Sequence, residues 1–235
     1  MVPKPSDKRT LQQTITHRIR KKILSGHLTA NSHLNEANVA EMLGVSRSPV
    51  REAIKTLESE GLLKTLSTGR TIVIGFTPKD LADLYELRFD LEWKSMQALH
   101  KRGILTVEQW IEIEKVLQLM EQCTDYHGSY IYLDTMFHRK VVEAASNRPL
   151  FRIWSTMIQT ITALQEITNE QIDQPGMNEL TQMHRDIFQS IRGGEAKTTK
   201  ALLHKHIQAG VDIVTRVLEE SIARNIETDW LVDFR

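Results

Sequence analysis

Gly44-Val45-Ser46-Arg47-Ser48-Pro49-Val50-Arg51-Glu52-Ala53-Ile54 holds a tight turn, a helix start and the first turns of a two-faced helix. Ser46 stands at the N-cap position, and Pro49 falls in the first turn, where a missing N–H costs little. Val50, Ile54 and Leu57 give this helix an apolar back, and Gly61 ends it. Arg47, Arg51 and Lys55 recur every four residues and so share the opposite face. Upstream, Asn35 is a good N-cap for a helix that buries Val39 and Leu43 and stops at Gly44. Before that, Leu11, Ile15, Ile19 and Ile23 predict a helix over residues 10–25, closed by Gly26. Downstream the period changes. Residues 62–66 and 71–74 are short apolar or β-branched runs around Ser67-Thr68-Gly69-Arg70, the pattern of a small hairpin. Three helices and a hairpin, with only Gly44-Val45 between the second and third helices, follow the winged helix-turn-helix order.

A helix with arginine and serine at its N-terminal end suits the major groove of double-stranded DNA. Arginine can bond guanine edges bidentately, while serine and lysine hold phosphates. Ser46, Arg47, Ser48, Arg51 and Lys55 are therefore the candidate DNA contacts. Gly69 and Arg70, at the hairpin tip, would let a wing approach the sugar-phosphate backbone.

Composition frames the rest. The 235 residues carry 30 Lys/Arg and 30 Asp/Glu, with 40% apolar residues, the usage of an ordinary globular chain of one large or two modest domains. The balance conceals an asymmetry. Residues 1–76 hold 12 Lys/Arg against 6 Asp/Glu, and the remainder reverses that excess, so one part is suited to a polyanion and the other is not. A single cysteine, Cys123, excludes an internal disulfide and fits a reducing, cytoplasmic setting. Neither an apolar run long enough for a membrane span nor a signal-peptide h-region is present, so no membrane partner is expected.

Residues 1–9 read as a flexible arm and 10–76 as the DNA-binding domain. Thr77-Pro78-Lys79-Asp80 opens a second region with a capping threonine, proline at the first helical position and an acid at the third. From there, six helical segments are predicted over roughly 78–102, 106–123, 127–146, 148–169, 177–192 and 195–222. The breaks include Gly103, Asn147-Arg148-Pro149, Gln174-Pro175-Gly176 and Gly193-Gly194. The expected fold is mainly α: an N-terminal winged helix-turn-helix followed by an all-α six-helix bundle over 77–222. A tail, 223–235, carries Trp230, Leu231 and Phe234 as packing candidates.

The bundle contains polar residues on apolar arcs. Asp134 and His138 fall four residues apart within the arc of Ile131, Val141, Val142 and Ala145. His184 lies among Leu180, Ile187, Phe188 and Ile191, and His206 among Leu202, Leu203, Ile207, Ile213, Val214 and Val217. Burying an unpaired carboxylate costs several kcal/mol. Three histidines and an aspartate facing inward from three helices would all be satisfied by one divalent cation, zinc, nickel, manganese or iron. A six-coordinate ion would keep two positions for water or a ligand carboxylate. A hydrogen-bonded Asp–His network without metal is the alternative. Arg88 also falls on the inward face of its helix, with Glu92 one turn on, and it either pairs internally with Glu92 or meets an effector carboxylate bidentately.

Residues 44–54, with Leu57, Glu60-Gly61-Leu62 and Gly69, resemble the DNA-binding signature of the GntR superfamily of bacterial transcription regulators. The resemblance implies operator contacts from Ser46, Arg47, Ser48 and Arg51, with a wing contact around Gly69. Ala30-Asn31 replaces the Pro-Gly usual before the second helix, and asparagine tolerates the positive φ such a turn needs. Ala37 stands where some relatives carry an arginine. Leu133-Asp134-Thr135-Met136-Phe137-His138, Asn147-Arg148-Pro149-Leu150, His184-Arg185-Asp186-Ile187 and the stretch through His206 resemble the FCD, or FadR-type C-terminal, branch. That resemblance implies a metal on Asp134, His138, His184 and His206, and an effector carboxylate on Arg88. Six helices rather than seven point to its VanR-like subgroup. It also implies a homodimeric regulator, a repressor by family habit, relieved by a small carboxylic or sugar acid. A structural dimeriser without effector and a metal-dependent enzyme are the competing readings. Against the enzyme, no Gly-x-Ser-x-Gly nucleophile motif occurs.

Overall fold

The computed structural model describes residues 10–102, 105–124, 129–167 and 172–223, and the chain forms two compact units. One comprises residues 82–214; the other comprises residues 7–81 together with the end of the last helix. The arm 1–9 and the apolar tail residues lie outside the described residues, as do Gly103 and part of the expected 127–146 segment.

The first unit in sequence is built on α1 (Leu11–Leu24), β1 (His33–Leu34), α2 (Glu36–Met42), α3 (Arg47–Ser59), β2 (Leu63–Thr65) and β3 (Thr71–Val73). Thr10 caps α1 in a reciprocal capping box with Gln13. Ile15, Ile19 and Ile23 are buried, as their spacing predicts, but Leu11, in the first turn of α1, is exposed. Asn35 caps α2 by accepting from the N–H groups of Ala37 and Asn38. Asn31 takes φ +67° and donates its N–H to the Val73 carbonyl at 2.8 Å, so the asparagine makes the left-handed turn. The hairpin is wider than its sequence pattern implies. His33–Leu34 adds a third strand, giving the order β1-β3-β2, with Leu34 opposite Thr71 and Leu63 opposite Val73. A two-residue strand is too short to leave a period in the sequence.

Arg20 and Glu60 form a buried bidentate ion pair between α1 and the end of α3, at 2.6 and 2.8 Å. This pair ties the end of α3 to α1 beside a core of Val39, Val50, Ile54, Leu57 and Val73.

The second unit is all helical. Its helices are α4 (Pro78–Arg102) and α9 (Ala196–Ala223), whose first and last turns respectively belong to the other unit, with α5 (Val107–Glu121), α6 (Ile131–Ala144), α7 (Arg148–Ile167) and α8 (Gln174–Arg192), six helices among the described residues. Thr77 and Asp80 cap α4 reciprocally, as the Thr-Pro-x-Asp start predicts. Asn147 ends one helix and begins the next: its side chain accepts from the Leu150 N–H. The start of α8 lies three residues before its expected position. Gln174-Pro175-Gly176 reads as a break, yet it is the first turn, because Asp173 accepts from the Gly176 N–H and proline is tolerated in that turn.

Candidate functional sites

All seven candidate DNA residues are exposed, on α3 and on the hairpin. Ser46 occupies the N-cap position of α3 but makes no side-chain capping bond, a correction to its expected capping role. Arg47 and Arg51 stand one turn apart on one face. Their partner is a residue the sequence reading passed over, Glu36, the first residue of α2. Its carboxylate accepts from Arg47 Nε at 2.9 Å and from Arg51 Nε and Nη2 at 3.0 Å each. The hydrogen bond from Arg51 is the main reason the Glu36 carboxyl is held below its ordinary pKa. A glutamate one residue after a cap, eleven and fifteen positions before two arginines, leaves no periodic trace; only the α2–turn–α3 fold brings them together. Lys55 pairs instead with Glu52 at 2.9 Å. In the wing, Leu66 donates to the Arg70 carbonyl and Gly69 to that of Leu66. Gly69 has φ +79° with open space around its Cα, so its backbone can approach a partner closely.

In the helical unit, α6, α8 and α9 bring Asp134, His138, His184 and His206 together, all buried, with one ligand-type atom from each within 4.8 Å of the others. His138 Nε2 lies 3.1 Å from His184 Nε2 and 3.0 Å from His206 Nε2. Asp134 Oδ1 lies 3.1 Å from His184 Nε2 and 3.9 Å from His138 Nε2. The outer nitrogens explain why the inner ones face each other. His138 Nδ1 is 2.7 Å from Glu92 Oε2, and His184 Nδ1 is 2.7 Å from the Leu180 carbonyl, so both rings donate outward. Phe137 packs edge-on against both rings. His206 Nδ1 is buried without a hydrogen-bond partner.

Burial, the largest influence, lowers the pKa of both His138 and His206, and the adjoining imidazoles push His206 down further. Burial acts the other way on Asp134. The hydrogen bond to His184 and the charges of His138, His184 and Arg88 outweigh it, so the carboxyl stays well below its usual range. A carboxylate and three inward-facing nitrogens need a cation among them, either a proton on one imidazole or a metal ion. Three of the spacings match a metal site, while the 3.9 Å Asp134–His138 separation is wider. Atoms each about 2.1 Å from one ion are about 3.0 Å apart at a right angle and about 3.4 Å apart at a tetrahedral angle. Three of these contacts, at 3.0–3.1 Å, match adjacent corners of a six-coordinate sphere.

Arg88, buried on α4, does pair internally. Its Nε donates to Glu92 Oε1 at 2.9 Å, yet its Nη2 has no partner and the residue lines a cleft beside Asp134 and His206. The ion-pair and ligand readings of Arg88 are thus compatible. Glu92 also accepts from Trp154 Nε1 at 3.1 Å. His138 and Arg88 together outweigh the effect of burial on Glu92 and bring its pKa down to about 2. Gln165 donates to Asp134 Oδ2 at 2.9 Å from α7, a contact no sequence spacing announces. The cleft encloses about 30 Å³. One water needs roughly 10–15 Å³, so the cleft has room for two or three water-sized groups.

One chain thus carries a basic winged helix-turn-helix unit and a helical unit with a buried Asp–His cluster. Residues 11–73 match the family described as bacterial regulatory proteins, gntR family, and residues 83–209 match the FCD domain. The chain belongs to the FCD-domain family and carries a gntR-type head. It is 30% identical over 145 residues to the gluconate operon transcriptional repressor of Bacillus subtilis, covering 61% of this chain and 58% of that protein. It is likewise 30% identical over 131 residues to the Nta operon transcriptional regulator of Aminobacter aminovorans, covering 55% of this chain and 61% of that one. The chain therefore spans under two thirds of the length of these relatives. Escherichia coli McbR/YncC shares the fold, with TM-score 0.66 at 18% identity over 88% of this chain and 98% of that one. A GntR family member from Pseudomonas syringae does so with TM-score 0.52 at 23% identity, over 89% and 88%. The gntR family is one of bacterial regulatory proteins, and the two named relatives are a transcriptional repressor and a transcriptional regulator. No described helix is long and apolar enough to cross a membrane.

Proposed function

We propose that this chain is a ligand-responsive, sequence-specific repressor. Residues 10–76 read operator DNA, and residues 77–222 bind a divalent metal and a small carboxylate and dimerise. The observation that carries the reading is the buried Asp134, His138, His184 and His206 cluster beside the unpartnered Nη2 of Arg88. A buried cation-seeking cluster and a buried unpaired guanidinium N–H are two anchors for one anion. A divalent ion held there, zinc, nickel, manganese or iron, would supply a positive charge with open positions for a carboxylate. Arg88 would then donate Nη2–H to that carboxylate while Nε keeps its bond to Glu92. The narrow cleft favours the smallest carboxylic acids over sugar acids, which must widen it. Six helices from Pro78 onward support a VanR-like assignment.

Arg47, Arg51, Ser46 and Ser48 would contact bases and phosphates, with Lys55, Gly69 and Arg70 on the backbone. In a homodimer, two reading helices would reach half-sites on one face of the duplex. An acid that fits one arrangement of the heads better would shift operator affinity by a coupling of about 1–3 kcal/mol. The test combines metal analysis of the purified protein with binding to fragments of its own promoter region, with and without acetate, lactate and larger acids. Protein lacking a divalent ion and binding DNA identically with every acid would sink the sensor reading. That result would favour the second reading, a constitutive polar cluster.

A further inference from the structure

Glu92 is fully buried at the middle of α4 and spends both carboxylate oxygens on the machinery around it. Oε2 accepts from His138 Nδ1 at 2.7 Å, while Oε1 accepts from Arg88 Nε at 2.9 Å and from Trp154 Nε1 at 3.1 Å. His138 is in turn the imidazole whose Nε2 touches both of the others. We propose that Glu92 is a positioning residue that fixes His138 as the Nδ1–H tautomer, so that its Nε2 lone pair is available to a metal, and that anchors Arg88 with Nη2 left free. The proposal rests on the metal reading above and adds to it the residue that orients one of its ligands.

The chemistry demands an acceptor on each oxygen. The Oε1 side meets two donors, one of them a guanidinium that cannot lose its proton. The Oε2 side meets an imidazole nitrogen. A glutamine has one acceptor and one donor, so its oxygen turns to Arg88 and Trp154 and its amide faces His138. That amide needs an acceptor at Nδ1, which drives the His138 proton to Nε2. A protonated neutral Nε2 cannot ligate a metal. The substitution Glu92→Gln therefore keeps shape and volume while reversing one ring's tautomer. His184 is held separately by the Leu180 carbonyl and keeps its orientation.

The experiment uses the full chain, stripped of metal, as wild type, Glu92→Gln and Trp154→Phe. Imidazole nitrogens are read by long-range ¹H–¹⁵N correlation, and zinc affinity is measured by chelator competition with zinc alone. The expected result is an Nδ1–H His138 in wild type, an Nε2–H His138 in Glu92→Gln, and zinc affinity lower by roughly 10–100-fold in that variant, the usual loss when an outer-shell partner is removed. Trp154→Phe removes one donor to Oε1 and should leave the tautomer and the affinity within a few-fold of wild type. An Nε2–H His138 in the wild-type chain overturns the proposal whether or not the variants fold. Undiminished zinc affinity in a folded Glu92→Gln overturns it too, and leaves the metal reading standing. A wild-type chain that takes up no zinc or other divalent ion overturns the metal reading and the proposal with it.

Discussion

Arg51 and His138 are both single side chains at the heart of a proposed site, and their surroundings make opposite demands. The Arg51 side chain is 55% exposed and pairs with Glu36. Truncation should leave the fold alone: Arg51→Ala is expected to abolish specific operator binding with a melting temperature within a degree or two of wild type, read by gel shift and calorimetry. Unimpaired operator binding would remove α3 as the reading helix. Glu36 is expected to matter in a different way. Glu36→Gln takes a negative charge from the DNA-facing surface and releases two arginines, so non-specific DNA affinity should rise with a steeper salt dependence. Discrimination between operator and random duplex should shrink. His138, by contrast, is fully buried among Glu92, His184 and His206. His138→Ala should lose the metal and lower the melting temperature of the helical unit, while the head keeps its own chemical shifts. Retained stoichiometric metal would overturn the ligand set. Arg51 was readable from spacing alone, since exposure follows helical phase. Glu36 was not, because its role depends on where α2 lies beside α3.

At the scale of elements, caps were the most legible features. Asn35 and the Thr77–Asp80 pair each make the bond their sequence context implies, while Ser46 makes no capping bond. Local chemistry sufficed there because donor and acceptor lie within three residues of each other. The misreadings of α8 and β1 have equally local causes: Pro175-Gly176 mimics a loop, and β1 is too short to show a period. What holds α3 is not local. Arg20 and Glu60, forty residues apart, make a pair whose side chains are 5% and 6% exposed. Removing one partner of such a pair leaves a buried charge and typically costs about 3–5 kcal/mol. Glu60→Ala should therefore destabilise the head by that order in urea unfolding, with Arg20→Ala/Glu60→Ala recovering part of the loss. Equal stability of Glu60→Ala and wild type would show that the apolar core alone sets the position of α3.

For the whole molecule, proton linkage gives a prediction with a definite sign. Burial lowers the pKa of His138 and His206 in the folded chain, while an unfolded histidine titrates near 6.5. Below about pH 6.5 the unfolded chain binds more protons, so stability falls as pH falls. Above that value both rings are neutral in either state, and their stabilisation is fully present. The metal-free protein should therefore lose melting temperature steadily between about pH 7 and pH 5, checked by thermal unfolding in chelator. Asp134 and Glu92, held low as carboxylates, extend the loss at still lower pH. A flat profile through that window would mean that the imidazoles are not held neutral. The charge asymmetry between residues 1–76 and the rest belongs to this scale too, and it was visible by counting.

By itself the sequence determined the helices, most of their caps, the basic face of α3 and the inward phase of Asp134, His138, His184 and His206. Each of those follows from the 3.6-residue period or from hydrogen bonds a few residues long. The tertiary structure decided which inward faces meet: that three imidazoles from α6, α8 and α9 converge within contact of one carboxylate, that Glu92 reaches across to one of them, and that Glu36 clasps both reading arginines. Those contacts join residues 11 to 68 positions apart. Their existence depends on helix packing, in which many weak apolar contacts, and no short-range rule, set the geometry.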